Sequence, residues 1–468
     1  MKRTPTMSQT ILFVEPKGSA NTFSKFMGIP LLGPVYLATI AARAGYRAEV
    51  LNENILGRDL DEAELAQADQ LCVSCLTSTV ERGIELAERY RAARAARNLP
   101  ARTHIGGIHA SMLPQDVSPY FDHVAVGEGE ELLLDLLEGT TSEPVIHGER
   151  LADLDTVPIP DFSLVRGWKE NYIWPVMTSR GCPFDCNFCS VTEMFGRGYR
   201  VQSPERVLDE ITRYRKGRIF FVDDNFAANV KRSERILDLM AQHDFRLPWT
   251  SQVRTDVARR PALVRRMRER GCDWVYVGFE SVNPESLLDM QKGQTVEDIR
   301  HSVKVFHESS IRVHGMFMFG SDPDKPEVFE TTTDFARRCR IDTAQFNVLT
   351  PLPGTRLFRR IEEEGRLLHR TWRYYDGLHV VFKPKHMTPL QLQEGMVSCF
   401  DDFYTYGRAF VDAFVTGAQT LNAAAKRLAA LPANRPSFAG TVVKFLGKGI
   451  VRDWVRQNGD YIRALPNA

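Results

Sequence analysis

The 468-residue chain has no apolar run as long as the roughly 18–20 residues needed to cross a bilayer, which excludes a transmembrane helix. Its first ten residues, Met1 to Thr10, lack the apolar core of a secretory leader, so a cytoplasmic location is expected. An excess of one charge is also missing. Lys and Arg number 60 against 59 Asp and Glu, for a formal net charge of +1, and bulk charge gives no reason to expect a nucleic-acid partner. Repeats and low-complexity segments are absent. Cysteine is sparse, at 8 in the whole chain, and too unevenly spaced for a disulfide framework. What remains, 43% hydrophobic and 25% charged residues, is an ordinary globular composition, and the length calls for more than one hydrophobic core.

Residues 1–150 alternate short apolar strands with helical stretches. Strands are expected at Ile11–Val14, Arg47–Asn52, Leu71–Leu76, near His104–Gly107 and at His123–Val126. Helices are expected over Pro34–Ala44 and Val80–Arg97. This alternation predicts an α/β domain with a doubly wound parallel sheet of flavodoxin-like type. Ligands of such sheets bind at the carboxyl ends of the strands. Here those ends carry Glu15-Pro16, Ser74 to Thr79, Gly106-Gly-Ile-His109 and Gly127-Glu-Gly129. Residues 151–172, with Pro158 and Pro160, read as a linker. A second alternation fills 173–385, with strands near 174–180, 218–223, 249–254, 274–280, 312–319 and 344–350. Six strand–helix units predict a partial (β/α)6 barrel of TIM-like type, whose chemistry belongs at the same strand ends. From 386 to 468 the pattern turns helical, with Thr388 as N-cap and Pro389 at the first helical position.

Three of the eight cysteines fall within one loop, Arg180-Gly-Cys-Pro-Phe-Asp-Cys-Asn-Phe-Cys-Ser190, directly after the first barrel strand. Cys182, Cys186 and Cys189 are spaced C-x3-C-x2-C. Thiolates are the preferred ligands of iron–sulfur clusters, and a closed [4Fe–4S] cluster uses four. Three leave one iron open for a small molecule. A zinc knuckle would instead want a second cysteine pair, and the downstream Cys272, Cys339 and Cys399 are scattered. Cys72 and Cys75 form a C-x2-C inside a strand, where successive side chains alternate faces; they read as small buried hydrophobes rather than a redox pair.

The loop, with Phe188 just before its last cysteine, resembles the signature of the radical S-adenosylmethionine enzymes. The resemblance implies that the open iron holds the amino and carboxylate groups of S-adenosylmethionine. One electron then cleaves the sulfonium, and a 5′-deoxyadenosyl radical abstracts hydrogen from an unactivated carbon. It further implies contacts to that cofactor from Asp223 or Asp224 in Phe220-Phe-Val-Asp-Asp-Asn225, from Arg254 to the carboxylate, and from Glu280 in Val277-Gly-Phe-Glu-Ser281. Gly315–Gly320 and Thr350–Thr355 would line the adenine pocket. Asp223 to Asn225 also suit helix capping, and Glu280 an ion pair with an arginine.

Residues 11–131 resemble the cobalamin-binding domain found upstream of one large subclass of these enzymes. The resemblance implies that Ser74, Thr77, Gly106 and Gly107 approach the nucleotide tail. The D-x-H-x-x-G motif of classical cobalamin enzymes is absent. His109 lacks the aspartate and reads as a locally bonded loop histidine. The segment Phe400–Arg408 resembles the helical extension of enzymes that modify hopanoids and tetrapyrroles. Val442–Arg456, apolar with interspersed basic residues, reads as a helix packed on the barrel, with a peripheral membrane helix as the alternative. The implied activity is methyl transfer to an unactivated carbon of a small-molecule or lipid-like substrate, with an electron donor such as flavodoxin or ferredoxin. His314, Met316 and Gln345 are expected in the barrel lumen. The rival readings are radical cyclisation, oxidation or rearrangement without methyl transfer, and a non-catalytic iron–sulfur sensor.

Overall fold

The computed structural model describes residues 9–18, 28–169, 173–404, 449 and 451–466. The first sheet is parallel and six-stranded: β1 (Thr10–Glu15), β2 (Arg47–Asn52), β3 (Gln70–Ser74), β4 (Thr103–Gly106), β5 (His123–Val126) and β6 (Val145–His147), in the order β2-β1-β3-β4-β5-β6. The order reverses at β1, which makes the crevice above β1 and β3 the topological switch point. Ile11 and Phe13 of β1 pack with the helices Leu32–Arg43 and Leu133–Glu138, while Leu12 and Val14 pack with Val80–Ala95. Covered on both faces, β1 needs a continuous apolar run rather than an alternating one. Five strands were legible in the sequence. The sixth, β6, is three residues long, at the sheet edge, with no buried residue to mark it.

The second sheet is also parallel and six-stranded, running from the strand Thr343–Val348 at one edge to Ile173–Val176 at the other. Its strands are β7 (Ile173–Val176), β10 (Arg218–Phe221), β11 (Trp249–Val253), β12 (Cys272–Glu280), β13 (Arg312–Phe319) and β14 (Thr343–Val348). The edges β7 and β14 do not pair, so the barrel is partial. The stretch expected as one strand over 174–180 is two. After β7 the backbone leaves the sheet, because Thr178 N donates to Asp223 Oδ1 at 2.9 Å instead of to a strand carbonyl. It resumes as β8 (Ser179–Arg180), antiparallel to β9 (Arg200–Val201). These two short strands bracket the cysteine loop.

The two sheets share one apolar core. It runs from Ile11 and Phe13 through Leu154, Val157 and Phe162 to Trp174 and the barrel. The proline-containing stretch 151–169 is irregular in backbone yet buried at Leu151, Leu154, Val157, Phe162 and Val165. Trp174 stacks on Tyr214 at 4.4 Å and meets Phe162 edge-on at 5.2 Å. On the C-terminal side, Thr388 caps the helix Pro389–Phe403 with a capping box closed by Gln391, as its sequence predicts. Of Val442–Arg456, all but 449 and 451–456 lies outside the described residues, as do Thr405–Arg408. The described part is packed: Trp454 lies 5.0 Å from His379, and Val451 is buried. No described helix is long and apolar enough to cross a membrane.

A buried ion network also crosses between the sheets. Glu128, in the loop after β5, accepts from Arg180 Nη1 at 2.8 Å, from Leu151 N at 3.1 Å and from Arg200. Arg180 also donates to Glu130. Burial pushes the Glu128 carboxyl up, but the bonds and charges of Arg200 and Arg180 outweigh it and hold the group below its ordinary range. Removing one partner of a buried pair strands the other charge. Glu128→Ala is therefore expected to cost about 3 kcal/mol in urea unfolding, with Glu128→Gln intermediate.

Candidate functional site

The cysteine loop starts at a position only glycine fits. Gly181 has φ +88°, and a Cβ there would collide with the carbonyl of Gly198 in the returning strand. Beyond it, Cys182, Cys186 and Cys189 are free and half-buried. Cys189 N donates to Cys186 O at 3.2 Å, closing a turn between the last two cysteines. Backbone bonds fix the loop to two later segments: Asn187 N donates to Met290 O at 3.3 Å, and Leu357 N to Asn187 O at 3.0 Å. Phe188 packs against the common core. Burial pushes the Cys189 thiol up to about 12, with Asp224 and the other two thiols adding to it, and Cys182 shifts the same way. A bound metal reverses this, since it takes thiolates and releases their protons. Among the described residues no three His, Cys, Asp or Glu side chains converge on a single ion. A cubane asks for something else, one thiolate per iron from spread sulfurs, and three unpaired thiols in one anchored loop fit that demand.

The acidic pair beyond β10 divides its work. Asp223 is fully engaged: Thr178 N and Oγ1 and Ser179 Oγ all donate to it. It fixes the chain entering the cysteine loop, mostly through Oδ1. Among the described residues Asp224 takes no hydrogen bond from another residue, and burial, with Asp223 adding to it, raises its carboxyl to about 7. Next to it, both amide atoms of Asn225 are buried without a partner among the described residues, as is Ser251 Oγ in the middle of β11. Uncommitted buried polar groups are uncommon in folded proteins and mark places where a ligand belongs. Glu280 is buried at φ +61°, a strained conformation for a residue with a side chain, and pairs with the buried Lys292 rather than with an arginine. Arg254, at the end of β11, donates to Lys292 O and lies 3.9 Å from Cys186 Sγ.

The carboxyl ends of the first sheet open onto a cavity of about 470 Å³. One wall is Ser74, Gly106 and Gly127; another is the helix pair, through Leu37 and Leu136; the third is Met177 of the barrel with Val191 and Met194, which follow the cysteine loop. A mostly apolar crevice of this size with free backbone edges fits a large flat ligand, and a corrinoid fits it in chemistry. Ser74, Gly106 and Gly107 line it, whereas Thr77 is buried in the turn below and does not. Gly107 is required for another reason than ligand approach: at φ +95°, a Cβ would sit 2.5 Å from Cys75 O. Cys72 and Cys75 line the cavity as well, with burial raising each thiol to about 12, which suits inert small hydrophobes. His104, which the sequence did not single out, lines it with Nδ1 unpaired, while Nε2 bonds Gln70 at 2.8 Å.

His109 differs from its expected local bonding. It is fully buried, edge-on to Trp372 at 5.2 Å, and neither ring nitrogen has a partner among the described residues. Burial lowers it to about 4, so it stays neutral. In the barrel lumen, Phe220, Tyr276 and His314 form a row, with ring centroids 5.3 and 4.7 Å apart. His314 Nδ1 lies 2.8 Å from Thr343 Oγ1, and Gln345 donates to Asn347 at 3.0 Å. The Glu128–Arg180–Arg200 network had no sequence signal, because its members lie on three separate segments.

Two family models match the chain: the radical SAM superfamily over residues 176–336 and the B12 binding domain over residues 28–137. The bacteriochlorophyllide d C-12(1)-methyltransferase of Chlorobaculum tepidum is 30% identical over 64% of this chain and 68% of its own length. The hopanoid C-2 methylase of Rhodopseudomonas palustris is 29% identical over 68% of this chain and 62% of its own. An anaerobic magnesium-protoporphyrin IX monomethyl ester cyclase of Rubrivivax gelatinosus is 25% identical over 84% and 77%. The cobalamin-dependent radical enzyme OxsB, solved with aqua-cobalamin and S-adenosylmethionine, has the same fold. Its TM-score is 0.67 at 13% identity, covering 98% of this chain and 76% of that one. The chain belongs to the radical S-adenosylmethionine superfamily, in the subclass with an N-terminal B12-binding domain.

Asp224 supplies a pH test of this geometry. Its carboxyl is raised to about 7 in the fold, well above the ordinary aspartate range of about 4. The unfolded chain therefore loses that proton first, and stability falls as pH rises from about 4 to about 7. Asp224→Asn is expected to stabilise the cofactor-free protein by about 1–3 kcal/mol at pH 8 and to have little effect near pH 4, measured by thermal unfolding.

Proposed function

We propose that the protein is a cobalamin-dependent radical S-adenosylmethionine methyltransferase acting on an unactivated carbon. The observation that carries this reading is the shared wall. One cavity is bounded by the strand ends of the B12-binding sheet and by Met177, Val191 and Met194 around the cysteine loop. When bound, a [4Fe–4S] cluster with S-adenosylmethionine supplies a radical generator, and a corrinoid supplies a methyl carrier. Cys182, Cys186 and Cys189 hold the cluster. Asp224, uncommitted and half-buried, takes the ammonium of S-adenosylmethionine, and Asn225 and Ser251 are free to bond its other polar groups. Glu280 keeps Lys292 in place at the same rim. Ser74, Gly106 and Gly107 hold the corrinoid from the other side.

The substrate enters the lumen beside Tyr276, His314, Met316 and Gln345. His314 is neutral there, since burial lowers it to about 4. An uncharged wall of rings, thioethers and amides favours a neutral small-molecule or lipid-like substrate. The reductant is a protein donor such as flavodoxin or ferredoxin, in a reducing cytoplasmic compartment. Radical cyclisation without methyl transfer is the second reading, favoured by the similarity to the Rubrivivax gelatinosus cyclase.

Anaerobic incubation with S-adenosylmethionine deuterated at its methyl group separates the two. Methyl transfer yields both 5′-deoxyadenosine and S-adenosylhomocysteine, and the label in product; cyclisation yields 5′-deoxyadenosine alone. Cys186→Ala is expected to lose bound iron and all reductive cleavage while far-UV circular dichroism stays unchanged, because the loop lies at the barrel rim. Retained cleavage would refute the ligand assignment.

A further inference from the structure

Arg254 faces the cysteine loop twice. Its guanidinium carbon stands 3.8 Å from the centre of the Phe184 ring, and Nη1 points to Cys186 Sγ at 3.9 Å. Nη2 donates to the carbonyl of Lys292, and the residue is 6% exposed. A backbone carbonyl on one side and a ring beneath therefore aim the remaining N–H edge at one sulfur. Nε is buried and has no partner among the described residues, and each terminal nitrogen already has one. This geometry differs from a guanidinium presenting both terminal nitrogens to a carboxylate, which the sequence suggested.

We propose that Arg254 is a positioning residue that sets the reduction potential of the cluster held at Cys186. The proposal rests on the cluster reading above. An added electron makes the cluster and its thiolates more negative. A fixed cation in a low-dielectric site stabilises that reduced form over the oxidised one, and an N–H bond to a ligand sulfur acts in the same direction. The arginine therefore raises the potential and brings the cluster within reach of a one-electron protein donor. Arginine suits the task because its planar fork reaches carbonyl and sulfur together while its guanidinium carbon lies over Phe184.

The test is an EPR-monitored redox titration of anaerobically reconstituted protein without S-adenosylmethionine. Arg254→Gln is expected to shift the midpoint to more negative potential by at least about 59 mV, a tenfold change in the one-electron equilibrium. Arg254→Lys keeps the charge but cannot span both partners, and is expected to shift less in the same direction. Equal midpoints in wild type and Arg254→Gln would overturn the proposal. Where Arg254→Gln does not load iron, Arg254→Lys decides: a negative shift supports the proposal, and an unchanged midpoint overturns it. Wild-type protein with no iron–sulfur spectrum would sink the cluster reading instead, so the two failures are distinguishable.

Discussion

Glu128 accepts hydrogen bonds from Arg180, from Arg200 and from the backbone of Leu151, in a place water hardly reaches. The rest of the site depends on this contact. Arg180 lies two residues before Cys182, and Arg200 pairs with it across the base of the cysteine loop. Glu128 itself follows β5, whose end forms part of the wall of the cavity. One carboxylate thus fixes the loop that holds the thiols relative to the sheet that bounds the cavity. A chemistry using two large cofactors needs them at a set separation, and a buried, fully bonded charge network has few alternative arrangements.

The same rim stores unfavourable contributions. Among the described residues Asp224 has no hydrogen-bond partner and Asn225 and Ser251 are buried unpaired, and Glu280 keeps a left-handed backbone. Each costs stability in the cofactor-free chain, and Asp224, Asn225 and Glu280 lie at strand ends on the side where ligands of such sheets bind. The aromatic core shared by the two sheets, through Phe162, Trp174 and Tyr214, offsets these costs away from the site.

Much of this was legible in the chain. Strand–helix alternation predicted both parallel sheets, because a strand covered on two faces must be apolar throughout. The C-x3-C-x2-C loop was legible because its ligands are local in sequence. What was missed is non-local or short. β6 is three residues at an edge. The division of labour between Asp223 and Asp224 depends on Thr178 and Ser179, 44 or 45 residues away. Arg254 could be placed at a strand end, but its direction is set by Lys292 and Phe184, on two other segments. His109 carried no sign that it would be buried against Trp372.

The central claim is that one chain brings a cluster loop and a corrinoid cavity into contact. The most direct test quantifies iron and cobalt in the same anaerobically purified sample after supply of hydroxocobalamin, with the visible spectrum recorded before and after cluster removal. The account predicts about four irons and about one cobalt per chain, with a corrinoid spectrum that survives loss of the cluster. Protein that carries its full complement of iron and takes up no corrinoid would contradict it.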